Sequence, residues 1–182
     1  MNNKAFNFHT LHPVTIMDAL FACGIRVDSG LTPLNSYENR VWQIQDEDRR
    51  RFVAKLYRPQ RWSADQIKEE HDFALELDGD DVPVAAPIAF NGETLLRHEG
   101  FLFAVFPSVG GRQLEPDNLD QLEWVGSYLG RLHQTGRKKD FTARPEIGGQ
   151  EYLLEPRRLL ESTALIPASL KPEFLAAADK LI

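Results

Sequence analysis

The stretch RFVAKLYRP, running from Arg51 to Pro59, decides how the rest of this chain is read. Side chains alternate across a β-strand, so Phe52, Ala54 and Leu56 fall on one face and Val53, Lys55 and Tyr57 on the other. One face is apolar and the opposite face carries an ammonium group. Taken alone, Lys55 also reads as an exposed lysine on a half-buried strand, so its meaning rests on what lies either side of it.

Upstream, Gly30 to Leu34 and Arg40 to Gln45 are strand-like runs, separated by Asn35 to Asn39. The polar turn Asp46-Glu47-Asp48 leads into the lysine strand, and three runs joined by short turns spell an antiparallel meander. Before them, Pro13 suits the first turn of a helix and Gly24 suits its end, which predicts a short helix from Pro13 to Cys23. Downstream, RWSADQIKEEHDFALEL opens with a strong helix start. Ser63 is placed as N-cap, Gln66 three residues later completes a capping box, and Trp62 with Ile67 forms a hydrophobic staple.

Two further strands are predicted, one around Ile88 to Phe90 with Thr94 to Arg97 and one at Phe101 to Phe106, the latter apolar enough for burial on both faces. From Asp117, residues Leu119, Leu122, Val125, Leu129 and Leu132 recur at helical spacing up to a stop at Gly136, so this helix is expected to pack a core. Two last helical pieces are expected, Gln150 to Glu161 and Lys171 to Ile182. The second runs to the end without a cap, which reads as a chain that continues.

Lys55 gains weight from the helix after it. At about 100° per residue, Ile67, Phe73, Ala74 and Leu77 define an apolar arc, with Glu70 near its centre and Glu69 outside it. A carboxylate facing inward needs a partner, because an unpaired buried charge is costly, and Lys55 on the preceding strand is the natural one. The alternative leaves Glu70 solvated at the edge of the arc. A lysine held by a carboxylate is what a kinase needs to place an ammonium against the α- and β-phosphates of a nucleotide.

Other residues fit that chemistry more weakly. The loop Asn35-Ser36-Tyr37-Glu38-Asn39 contains no glycine, yet its backbone N–H groups and the Ser36 hydroxyl can donate to phosphate oxygens, and Asn35 or Asn39 tolerates a positive φ. By itself it reads as an ordinary hairpin turn. No GxxxxGK[ST] phosphate loop occurs. In FAVFPSVGG, Phe103 to Gly111, Pro107 has only a carbonyl to offer and Val109 an N–H, the acceptor and donor an adenine exchanges with a hinge; the same residues also describe a strand that ends at proline. Asp78, Asp80 and Asp81 lack the spacing of a calcium loop and read as a solvated turn. His133, near a helix end, reads as packing or capping and not as catalysis.

Composition narrows the field. The 182 residues are 42% hydrophobic with a formal net charge of −6, enough for one substantial core and poorly suited to a nucleic-acid groove. The single cysteine, Cys23, excludes a disulfide framework or a cysteine-rich zinc site within one chain. No signal-peptide core and no span of membrane length is present, so a cytoplasmic setting without membrane association is expected.

With these residues in order, the sequence resembles the aminoglycoside phosphotransferase and choline kinase type of kinase-like fold over essentially its whole length. The resemblance rests on LNSYENRVWQ, RFVAKLYRP, EEHDFALEL, VPVAAP, FAVFPSVGGR and YLGRLHQTGR. It implies an α+β protein-kinase-like fold: an antiparallel five-stranded N-lobe with one main packed helix over residues 1–108, then a hinge exit and a partial helical C-lobe over 109–182. It further implies ATP and Mg2+ as cofactors, with Ser36 on a phosphate, Lys55 on the α- and β-phosphates, Glu70 pairing Lys55, and Pro107 and Val109 holding adenine.

By the same resemblance the whole protein is expected to be an ATP-dependent serine/threonine protein kinase of the stress response, with a protein hydroxyl as acceptor. A small-molecule kinase, or a non-catalytic nucleotide- or partner-binding module, are the alternatives. No H-G-D-x-x-x-x-N loop and no metal-binding aspartate after it occurs before Ile182. This stretch is therefore expected to hold no catalytic or metal-binding residue and to be catalytically incomplete.

Overall fold

A computed structural model describes residues 7–147 and 149–182. The chain divides into two compact units, the first running to Phe141 and the second Thr142–Ile182.

The first unit is built on one antiparallel sheet of five strands: β1 Thr32–Leu34, β2 Arg40–Gln45, β3 Arg51–Leu56, β4 Leu96–His98 and β5 Phe101–Pro107, in the order β1-β2-β3-β5-β4. The five-stranded antiparallel sheet expected from the sequence is thus present. Pro33 is tolerated because β1 is an edge strand, where the missing N–H need not pair. The register sets Val41 opposite Lys55 and Lys55 opposite Ala104, so the lysine lies on a central strand.

Each sheet face is covered by a different helix. On one face, Ala54 and Leu56 of β3 and Phe101, Phe103 and Val105 of β5 form a core with Ile16, Ala19 and Leu20 of α1, Pro13–Ala22. Burying each such large aliphatic side chain stabilises the fold by roughly 1.5–3 kcal/mol. On the other face, Tyr57 and Ala104 pack with Ile67 of α2, Ala64–Gly79, and Trp62 closes over them. Strand alternation therefore directs Lys55 toward the α2 side.

The helix boundaries follow from the caps. Ser63 accepts from the Gln66 N–H while the Gln66 side chain accepts from the Ser63 N–H, the capping box read in the sequence. α1 ends before Cys23, and Gly24 takes a φ of 81° that a side chain would strain.

Three expectations change. Ile88 to Phe90 is not a strand: Pro83 and Pro87 just before it have no N–H to give a ladder, and its link to the sheet is one hydrogen bond from the Ile88 N–H to the Val105 carbonyl, 2.8 Å. The turn Phe90 to Glu93 then leads into β4, which starts at Leu96. The helix α3, Leu119–Gly136, does not pack a core with its apolar stripe. Trp124 is 63% exposed, and Leu119 and Leu129 are also exposed. Its attachment to α2 is through its C-terminal turns, where Arg131, Thr135 and Lys138 all bond to Asp80. Asp80 is thereby the anchor of a helix–helix joint and not part of a solvated turn.

In the second unit, a π-helical turn Gln150–Leu154 leads into α4, Glu155–Ser162, followed by α5, Lys171–Ala178. Arg157 of α4 bonds to both Asp179 and Glu161, and Lys171 donates to the Glu161 and Thr163 carbonyls at 2.7 and 2.8 Å. The last helix stops at Ala178, where the Asp179 N–H bonds back to the Leu175 carbonyl, instead of running to Ile182.

Candidate functional site

The centre of the candidate site is the meeting of β3 and α2. Lys55 Nζ lies 3.2 Å from Glu70 Oε1, with the lysine side chain 24% and the glutamate side chain 41% exposed. The ammonium also sits 4.7 Å from the centroid of the Tyr57 ring and 5.9 Å from that of Phe106. Two aromatic rings and a carboxylate thus confine a side chain that would otherwise sample many rotamers. Glu70 is half-exposed, so the pair is open to solvent on one side. The buried positions of α2 are instead Ile67, His71 and Leu77.

The loop before β2 is closed on itself. Ser36 Oγ donates to the Asn39 carbonyl at 2.6 Å, and the Arg58 N–H donates to Asn39 Oδ1 at 3.2 Å. No residue from Asn35 to Asn39 takes a positive φ, so the left-handed tolerance of asparagine is not used here. Glu38 accepts from Trp62 Nε1 at 2.9 Å and from Arg61 Nε at 3.2 Å, which latches the loop to the start of α2. Tyr37 is fully exposed at the tip.

At the other end of β5, Pro107 is the last strand residue and lies opposite Phe52. The Ser108 N–H donates to the Arg51 carbonyl at 3.1 Å, and Ser108 Oγ accepts from Gln43 Nε2 at 2.8 Å. The exit from the sheet is therefore held before the chain reaches Val109, which is exposed. Ser36, Lys55, Glu70 and the Pro107–Val109 stretch come from four different segments of one unit. Lys55 and Glu70 are the two that touch.

Two features escaped the sequence reading. The Glu38 latch joins residues 24 apart in sequence and has no local signal. His71 is 1% exposed and bonds at both ring nitrogens: Nε2 to Tyr57 Oη at 2.7 Å and Nδ1 to Thr94 Oγ1 at 2.9 Å. Burial holds its pKa below the ordinary histidine value, a shift that Glu70 opposes and Lys55 reinforces. A histidine four residues after Ile67, on the buried stripe, was the available signal. Among the described residues, no group of three or more His, Cys, Asp or Glu side chains gathers as a metal site would, and no helix is long and apolar enough to cross a membrane.

Comparison with known proteins identifies the family. The chain is 72% identical over all 182 residues to stress response kinase A of Escherichia coli strain K12, and 70% identical over the same length to the serine/threonine protein kinase RdoA of Salmonella typhimurium strain LT2. In each case it covers 56% of the relative, so the chain spans about half the length of the curated relatives it matches. Among solved structures, amicoumacin kinase hAmiN in complex with AMP-PNP, Ca2+ and Ami superposes with a TM-score of 0.65 at 24% identity, over 92% of this chain and 54% of that one, a likeness of fold. The model of the phosphotransferase enzyme family matches residues 30–182, which takes in the Ser36 loop, the lysine strand, the Glu70 helix and the exit from β5. This chain belongs to the phosphotransferase enzyme family.

Proposed function

We propose that this chain supplies the nucleotide-binding half of an ATP-dependent serine/threonine protein kinase of the stress response. The observation that carries the reading is the Lys55–Glu70 pair, 3.2 Å apart and half-open to solvent. A lysine fixed by a helix carboxylate presents a point charge where the α- and β-phosphates of ATP need neutralising. Ser36 and the backbone of its loop would approach the phosphates. Pro107 and Val109 would offer a carbonyl and an N–H to adenine, with the boundary between lobes falling at residues 108 and 109.

A divalent cation, Mg2+ in this reading, would accompany the nucleotide and neutralise charge developing on the transferred phosphoryl group. The described residues gather no carboxylate cluster to hold it, so no protein ligand is assigned to the ion here. No base for the acceptor hydroxyl is assigned either, because the sequence contains no H-G-D-x-x-x-x-N loop. In this reading the chain by itself binds nucleotide and transfers nothing, in a cytoplasmic protein that acts on a serine or threonine hydroxyl of another protein.

The protein-kinase reading draws on the names of relatives at 70–72% identity, each of which this chain covers to 56%. A second reading, a kinase of small hydroxylated molecules, is favoured by the amicoumacin kinase likeness, although a shared fold does not settle substrate. Transfer of labelled phosphate by the whole protein to casein-like protein acceptors, set against aminoglycosides, sugars and amino alcohols, separates the two. Label on protein serine or threonine supports the first reading, and label confined to a metabolite overturns it.

A further inference from the structure

We propose that His71 is a positioning residue for nucleotide binding: the chain of bonds Tyr57–His71–Thr94 sets the rotation of α2 about its axis and so holds Glu70 against Lys55. The inference rests on the reading of Lys55 as a phosphate ligand.

The ion pair is a weak source of its own geometry. Glu70 is 41% exposed, and exposed pairs between flexible side chains contribute little net free energy. The capping box holds the first turn of α2, and the Asp80 joint holds its last. Neither determines which way the middle of the helix faces. That is decided by the buried stripe Ile67, His71 and Leu77. Ile67 and Leu77 make apolar contacts, which have no direction. His71 bonds at both nitrogens, to Tyr57 just after β3 on one side and to Thr94 just before β4 on the other, and hydrogen bonds weaken steeply once bent or stretched. In a helix of 10–12 Å diameter, a rotation of about 20° moves a side chain by roughly 2 Å, enough to break either bond. Glu70 is the next residue along the backbone and must follow His71.

Both partners of His71 are themselves fixed. Thr94 follows a tight turn in which Phe90 and Glu93 exchange backbone hydrogen bonds, with Asn91 and Gly92 at φ of 53° and 85°. Lys68 of α2 pairs with Glu93 in that same turn at 2.8 Å. The Tyr57 N–H donates to the Leu102 carbonyl at 2.9 Å, and the Tyr57 ring faces the Lys55 ammonium. One buried imidazole therefore touches the ring that confines the lysine and shares a helix turn with the carboxylate that pairs it.

The test uses Thr94→Val, an isosteric change remote in sequence from both members of the pair, with Glu70→Gln and the double variant, all in this chain. Two quantities are read: affinity for AMP-PNP with Mg2+ by calorimetry, and the rate at which a small acylating reagent labels Lys55, by mass spectrometry without nucleotide. The proposal expects Thr94→Val to weaken AMP-PNP binding about fivefold and to speed Lys55 acylation about threefold. In the Glu70→Gln background both effects should vanish, since coupled residues are non-additive. Equal effects with and without Glu70, or no change in Lys55 labelling on Thr94→Val, overturn the proposal. If Lys55→Met leaves AMP-PNP affinity unchanged, the nucleotide reading fails instead, and the labelling cycle still decides whether Thr94 acts on the pair.

Discussion

Glu70 Oε1 stands 3.2 Å from Lys55 Nζ, joining a central strand to a helix residue fifteen positions further along the chain. The contact ties α2 to the sheet at the point where the candidate nucleotide site opens. Because the pair is half-exposed, its value is expected to lie in placement of charge more than in holding the fold together.

Glu70→Gln tests that distinction. The substitution keeps the shape of the side chain and removes its charge. Global stability is expected to fall by less than about 1 kcal/mol, measured by urea denaturation, while affinity for ATP with Mg2+ falls several-fold. A large loss of stability with unchanged affinity would make the pair a structural strut.

The joint between α2 and α3 makes a second prediction. Thr135 is 2% exposed and donates to Asp80 Oδ2 at 2.5 Å. Thr135→Val fills the same space without the donor and is expected to cost about 1–2 kcal/mol. The urea midpoint should drop with no change in slope, since the surface exposed on unfolding is the same. An unmoved midpoint would mean that Lys138 and Arg131 carry the joint without it.

Acid should weaken the fold in two stages. Burial depresses the His71 pKa below its ordinary 6.5, reinforced by Lys55 and opposed by Glu70 and Asp72. Its contribution is fully present above pH 6.5 and is lost as pH falls through the lower folded value, because the unfolded chain takes up the proton first. Asp80 is held below its ordinary 3.8, chiefly by its bonds to Lys138 and Thr135, and by the same sign its contribution disappears at still lower pH. The melting temperature should decline as pH drops below 6.5, and His71→Gln should flatten that first decline. A wild-type melting temperature constant down to pH 4 contradicts the account.

Local chemistry made much of this legible from the residues. The Ser63–Gln66 box and the alternation around Lys55 are both decided by neighbours a few positions apart, and both stand where the sequence placed them. The segment from Ile88 to Phe90 misled because its apolar residues resemble a strand while Pro83 and Pro87 withhold the donors a ladder needs. Periodicity located the apolar stripe of α3, but it carries no information on what covers that stripe, and Trp124 is exposed. His71 was overlooked since its partners are 14 and 23 residues away, and only the folded sheet brings them together. The pairing of Glu70 was reached by an argument from buried charge although its side chain is 41% exposed in the fold, whereas the Glu38 latch had no local signal at all.

The central claim is that Lys55 binds nucleotide phosphate. Calorimetry of this chain with ATP and Mg2+, comparing wild type with Lys55→Met, tests it most directly, because methionine keeps the apolar stem and removes the charge. The account predicts saturable binding by the wild type and an affinity at least tenfold lower in the variant at similar thermal stability. Equal affinity in the two proteins would contradict it.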